Sequence, residues 1–219
     1  MLGKIDAPLK GKLQNIEWGE YKTDDLFKVL PIRNKLSKLD LSDSGNIPVY
    51  SSDTTNNGIM GFTSKKADYK VSDNIPIYLI FGDHTRTMNI ATSDFCVMDN
   101  VKVLIPFTGS TAATLFICTV WKKTIPNLGY SRHWSIAKES ILTLPTSDGV
   151  NPDFEFMESF VSELEAMHIS KLEAYLCLEM DEMDSFLDKD FIKVDVGSQC
   201  LFYWKYSEDG TFFLFIEFF

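Results

Sequence analysis

Asn151-Pro152-Asp153-Phe154-Glu155-Phe156-Met157-Glu158-Ser159-Phe160 decides the architecture of this chain. Asparagine followed by proline predicts a helix start: an N-cap, then a residue with fixed φ and no N–H at the first helical position. Helix breakers are then scarce until about residue 190. Met157, Phe160, Leu164 and Met167 are spaced three, four and three apart, a coiled-coil-like seam. Leu172 and Tyr175, then Cys177 or Leu178, continue the seam on a shifted stripe, and Glu158, Glu163, Glu165 and Glu173 cover other faces. A helix of about seven turns is too long for a small domain to bury. Its stripe needs another helix.

The segment before this helix carries short β-like runs. Ile47-Pro48-Val49-Tyr50, Gly58–Phe62 and Val101–Pro106 predict strands, and Ile75–Phe81 is nearly continuous apolar sequence, as a buried strand requires. Ser110–Lys123 predicts a helix with Leu115, Phe116, Cys118 and Thr119 inward and Trp121 near its end; Ser140–Pro145 predicts a closing strand. Tyr21–Val29 is expected to be a short helix capped by Thr23 or Asp24 and stopped by Pro31. The fold class expected is therefore α/β (α+β), with a mixed-sheet domain over residues 16–150 after a loose lead-in (1–15). A long spacer helix follows (151–190). The tail, 191–219, holds Leu201–Tyr206 and Thr211–Phe219 around a hairpin turn at Ser207–Gly210. Nine of its last 19 residues are aromatic, so either a partner covers it or it is the remnant of a truncated second half.

Charge divides the chain at the same place. The formal balance is −10. Residues 1–150 hold 17 basic and 15 acidic side chains, 17 − 15 = +2, and residues 151–219 hold 4 and 16, 4 − 16 = −12. The total alone speaks against a phosphate-rich partner, since phosphate binding needs cations; the split does not. Cys96, Cys118, Cys177 and Cys200 are far apart, with no Cys-x-x-Cys pair, and His84, His133 and His168 are scattered. No metal site and no cofactor are expected. The N-terminus lacks a signal-peptide core and no run of about 18 apolar residues exists, which reads as cytoplasmic with no membrane partner.

Catalytic patterns are missing. Asn151-Pro152-Asp153-Phe154 is faintly like the Asn-Pro-Pro-Phe motif of amino-methyltransferases, but follows a polar turn rather than an apolar strand. No Gly-rich cofactor loop follows a strand. Pro152-Asp153 has no later acid-x-Lys to complete a nuclease metal site, and neither a phosphate loop nor a nucleophile elbow occurs.

Six stretches together resemble a known family. They are Trp18–Val29, Ile47–Ser52 with Asn57–Phe62, Tyr78–Thr87 with Met98–Leu104, Gly129–Trp134, Ile141–Pro145 and Met157–Tyr175. In this order they are similar to the target-recognition domain and following helix of type I restriction–modification specificity subunits, and to specificity chains of type IIB systems. The resemblance implies a DNA-reading domain on a helical spacer, without catalysis. Its partners would be double-stranded DNA, methyltransferase (M) subunits and a restriction/translocase (R) subunit. The family's full-length form has two such halves, so a single half can pair with a second copy through residues 157–178. The competing readings are a truncated fragment acting only as an interaction module and, least favoured, a catalytic methyltransferase or nuclease.

On that resemblance, polar loops become candidate DNA contacts. Arg86 offers a donor fork for guanine, with Asp83, His84, Thr85 and Thr87 around it; an Asp83–Arg86 pair across the turn is the alternative. Ser51, Ser52, Asn56 and Asn57 suit adenine edges, or form an ordinary solvated turn. Lys65, Lys66, Lys70, Lys122 and Lys123 suit phosphates, or are plain surface charges, and Arg132 suits a phosphate or a base. Met157, Phe160, Leu164, Met167, Leu172 and Tyr175 would form the partner-helix interface.

Overall fold

The central strand of the domain is apolar on both faces because both faces are covered. The computed structural model describes residues 7–129, 131–184, 192–195, 200–206 and 212–218. Strand β5 (Tyr78–Gly82) is buried throughout. It lies between β8 (Val101–Pro106) and β6 (Met88–Ala91), and β2 (Phe27–Leu30) pairs with the far side of β8. All three pairings are antiparallel. Alternation along β5 sends Leu79 and Phe81 into one core cluster and Tyr78 and Ile80 into another. Each face thus has its own apolar cover, which the apolar residues Tyr78–Phe81 encode; Ile75–Ile77, expected in the same strand, lie before it, with Pro76 exposed.

A second, smaller sheet has mixed direction: β3 (Ile47–Tyr50) pairs antiparallel with β4 (Ile59–Thr63) and parallel with β7 (Cys96–Val97). The α+β class with mixed sheets is as expected. Two further strands close the domain. β1 (Glu17–Lys22) runs antiparallel to β9 (Ile141–Thr146), with Tyr21 opposite Leu142.

Helix α2 (Thr111–Thr124) starts as predicted, with Ser110 Oγ accepting from Ala113 N at 3.3 Å. Its buried face is rotated from the expected one. Ala113, Thr114, Ile117, Cys118 and Trp121 point inward, while Leu115 and Thr119 are exposed. Trp121 sets this face: it stacks on Phe27 and Phe81 at 5.2 and 5.6 Å between centroids. Burial pushes the Cys118 thiol up to about 12. The native protein is therefore expected to leave Cys118 unmodified by iodoacetamide at pH 8 and to expose it in denaturant; peptide mapping of labelled cysteines checks this.

Two expectations are corrected. Tyr21–Val29 is not a helix: it comprises the end of β1, a single 3-10 turn at Thr23–Asp25, and most of β2. Asp25 accepts the Lys22 N–H at 2.9 Å, so the capping signal was real but serves one turn. The lead-in is not all loose either. α1 (Ala7–Asn15) is helical, buries Leu9, and places Lys12 against Glu163.

Helix α4 (Phe154–Asp184), which follows the short α3 (Trp134–Ala137) and β9 in the chain, begins two residues later than an Asn151 cap would place it. Asp153 is the cap, accepting from Phe156 N at 2.8 Å, while Pro152 bridges to Thr146 and ties the entry to β9. The chain divides into two compact units, Met1–Leu164 and Glu165–Phe219. The first takes in the opening turns of α4 because Met157 is fully buried and Phe160 meets Phe116 edge-on at 5.8 Å. In the second, β10 (Ile192–Asp195), β11 (Cys200–Tyr206) and β12 (Phe212–Phe218) form an antiparallel sheet in that order. The expected hairpin turn at Ser207–Gly210 lies outside the described residues, as does the side chain of Tyr175. Among the described residues no helix is long and apolar enough to cross a membrane, and no group of acids, histidines or cysteines is placed to hold a metal.

Candidate functional site

Two polar loops that are distant in sequence meet at one groove. The first, Ser51–Thr55, leaves β3; the second, Asp83–Thr87, leaves β5. Thr85 Oγ1 donates to Ser52 O at 2.8 Å and lies 2.9 Å from Thr87 Oγ1. The approach is close enough to need a glycine. A Cβ on Gly82 would stand 2.3 Å from Thr87 Oγ1, 2.7 Å from Thr85 Oγ1 and 3.1 Å from Ser52 Cα. The groove, about 660 Å³, is lined by Ser51, Ser52, Asp53, Thr54 and Thr85, with Ser37 and Lys38 on one wall and Met98, Asp99 and Asn100 on another. Its polar groups are mostly short hydroxyls, with one amide, two carboxylates and the Lys38 ammonium.

Both carboxylates are held ionised. Hydrogen bonds from Thr55 keep Asp53 below the usual carboxylate range, and the Lys35 ammonium, 2.6 Å away, does the same for Asp99. The lining carries Lys38 against Asp53 and Asp99, 1 − 2 = −1, so the groove has no surplus of cations for phosphates, and its acceptors suit donors such as base amino groups.

The second loop is locked from beneath by Asp83, which is buried. Its Oδ1 accepts from Trp134 N at 2.8 Å, and its backbone O accepts from His133 N at 2.9 Å and pairs with His133 Nδ1 at 3.0 Å. His133 Nε2 in turn accepts from Leu128 N at 3.2 Å, so both ring nitrogens of this buried imidazole are engaged by backbone groups. Asp83 is thereby removed from the surface: it is an anchor, not a base contact. It does not form the pair with Arg86 expected as the alternative. Arg86 adopts a left-handed backbone (φ 56°) and sends Nη1 to Ile125 O at 2.9 Å, closing the end of α2. His84 Nδ1 lies 3.2 Å from Ser131 O. Arg132, highly exposed, lies 3.9 Å from Asp83 Oδ2 and acts on Asp99 at the groove wall.

The remaining expected contacts are spread out. Ser51 is buried and its Oγ accepts Asp53 N, whereas Ser52 is half-buried and Thr54 and Thr55 are exposed. Asn56 and Asn57 form a left-handed turn with Gly58, and Asn56 Nδ2 donates to Ile59 O at 3.1 Å. That is the turn-forming use of these amides. Lys65 is paired with Asp40 at 2.6 Å, which holds the Asp40 carboxyl at about 2. Lys66 lines a different cleft, and Lys122 and Lys123 stand exposed in the last turn of α2, where cations favour the helix dipole. On α4, Met157 and Phe160 are in the core of their own unit and are not available to a partner helix, whereas Leu172 is exposed. Lys38, Asp99 and Asn100 were missed. The polar turn Met98-Asp99-Asn100 between two strands was the available signal, and Asn100, left-handed at φ 63°, gives its carbonyl to Asp83 N.

Residues 15–174 match the family model described as type I restriction modification DNA specificity domain. The chain belongs to that family. A curated relative, the specificity subunit S.BcgI of a type II restriction enzyme from Heyndrickxia coagulans, is 26% identical over 167 residues. The match covers 70% of this chain and 45% of that protein, so the chain spans about half the length of this relative. A crystal structure of a type I restriction–modification system S subunit from M. genitalium superposes with a TM-score of 0.52 at 11% identity, covering 94% of this chain and 57% of that one. At that identity the likeness concerns the fold. As a specificity-domain chain, the protein carries the groove between β3 and β5 on a fold shared with an S subunit.

Proposed function

We propose that this chain reads a DNA sequence for a restriction–modification system and leaves the chemistry to partner subunits. The supporting observation is the convergence of two inter-strand loops on one polar groove within a specificity domain. Its outward groups, Ser52, Thr85 and Asn100 with Arg132 beside them, are hydrogen-bonding groups suited to base edges. In this reading residues 16–150 are the recognition domain. The helix Phe154–Asp184 is the spacer, which docks methyltransferase subunits through Leu164, Met167, Leu172 and Tyr175 and also lets two copies pair. Arg86 is a positioning residue, since its fork is engaged at Ile125 O. Arg132 reads a base.

The test is co-expression with a cognate methyltransferase subunit, followed by long-read sequencing of methylated DNA. One methylated motif is expected, absent with the methyltransferase alone. Arg132→Ala is expected to relax that motif at one base pair, because a bidentate contact is worth about 1–3 kcal/mol of discrimination. Arg86→Ala should lower the extent of methylation without changing the motif. A motif untouched by Arg132→Ala sinks the base-reading role. A complex that survives charged residues at both Leu164 and Met167 sinks the docking role.

A further inference from the structure

A second cleft in the same unit has the opposite electrostatics to the groove. Four cations line it: Lys28 on β2, Arg33 after that strand, and Lys66 and Lys70 from the segment after β4. All four are exposed, and none forms an ion pair with a described residue. Elsewhere many of the cations are engaged: Lys12 on Glu163, Lys35 on Asp99, Lys65 on Asp40 and Arg86 on a carbonyl. The one acid in the cleft, Asp68, accepts a hydrogen bond from Asn34 Nδ2 at 2.6 Å. Its balance is thus 4 − 1 = +3 in a unit whose residues up to 150 total only +2.

The cleft is about 500 Å³, and its floor is rigid. Tyr69 stacks on Phe95 at 4.9 Å and meets Tyr78 edge-on, and Tyr78 donates to Lys70 O at 2.8 Å. Lys70 is therefore held by its own backbone against the core. Like charges brought together on a rigid floor without partners repel one another, and a polyanion relieves that repulsion.

We propose that this cleft grips the phosphodiester backbone of DNA, while the groove between β3 and β5 meets the bases. The inference rests on the DNA-reading function and adds where the duplex backbone lies. The groove lining sums to 1 − 2 = −1, from Lys38, Asp53 and Asp99, and the cleft lining to +3 with four cations outside any ion pair, so the cleft is the better seat for phosphates. A bland alternative exists for Lys28: lysine on an edge strand discourages pairing with another sheet. It does not account for Arg33, Lys66 and Lys70 converging on the same cleft.

The experiment measures binding of the full chain to a fluorescent random-sequence duplex across a salt series. One variant combines Lys28→Gln, Arg33→Gln, Lys66→Gln and Lys70→Gln. A control removes four charges elsewhere: Lys10→Gln, Lys12→Gln, Lys22→Gln and Lys138→Gln. Each phosphate that is no longer neutralised should reduce the slope of log affinity against log salt by about 0.9, so the slope is expected to fall by about 3 to 4 in the cleft variant and by less than about 1 in the control. Equal slopes for wild type and the cleft variant overturn the cleft while leaving the DNA function intact. Equal reductions in both variants also overturn it, because they reduce the effect to net charge. A wild-type chain that binds no duplex removes both readings together.

Discussion

Trp121→Ala is expected to lower unfolding stability by about 3–5 kcal/mol, a large share of the roughly 5–15 kcal/mol of an ordinary domain. Trp121 is fully buried. It stacks on Phe27 and Phe81 and meets Trp134 at 6.4 Å, and its Nε1–H donates to Ala137 O at 3.1 Å. That carbonyl also accepts from Ser140 N, so truncation does not orphan it. The cost is then the cavity plus the missing ring pairs, each worth about 0.5–1.5 kcal/mol beyond area. Trp121→Phe retains part of the stack and should cost less. Urea unfolding followed by near-UV circular dichroism reads the result as a lower midpoint at unchanged slope. A loss below about 1 kcal/mol in Trp121→Ala contradicts the described core. The site should suffer with the core, because Phe81 is one residue from Gly82 and the loop that follows.

What was legible follows from where each decision is made. The later part of the run Ile75–Phe81, Tyr78–Phe81, could be read as a buried strand because covering both faces of β5 leaves no room for polar residues. The helix expected over Ser110–Lys123 could be read because its start is fixed locally: Ser110 Oγ meets Ala113 N, three residues away. Tyr21–Val29 could not be read. Its capping signal is local, but β1 forms by pairing with β9, with Lys22 opposite Ile141, and propensity yields to that distant partner. The inward face of α2 failed for the same kind of reason: the rings that fix Trp121 come from β2 and β5. In the site, the loops were legible as polar segments between strands. Which of their side chains turn inward was not, since Asp83 and Arg86 are claimed by groups about 39 to 51 residues away.

The charge split gains content from the same geometry. A balance of +2 over residues 1–150 is small for a duplex binder. The domain reaches a locally positive surface by gathering four cations without ion-pair partners at one cleft, while Lys35 and Lys65 sit in surface pairs, which contribute little to stability. A segment with 4 basic and 16 acidic residues follows, and its charge repels the backbone of DNA and suits a basic partner surface.

Asp83→Ala is expected to cost about 2–3 kcal/mol and to loosen the segment 131–134. The carboxylate is buried and is the acceptor for Trp134 N; its removal leaves that N–H without a partner, and a hydrogen bond to a charged group is worth about 1.5–3 kcal/mol. Arg132 Nη1, 3.9 Å from Oδ2, loses its tether at the same time. The backbone hydrogen bonds of residue 83 to Asn100 and His133 do not depend on its side chain, so the strand end should stay in place. Asp83→Asn separates the two effects. Its amide oxygen can still accept from Trp134 N, so stability should fall by less than about half of the alanine loss, while the charge facing Arg132 is gone. Amide hydrogen exchange is the decisive reading: protection at Trp134 should collapse in Asp83→Ala and persist in Asp83→Asn. Equal exchange in the two variants would mean that the carboxylate does not hold this segment, and that Arg132 reaches the groove by some other support.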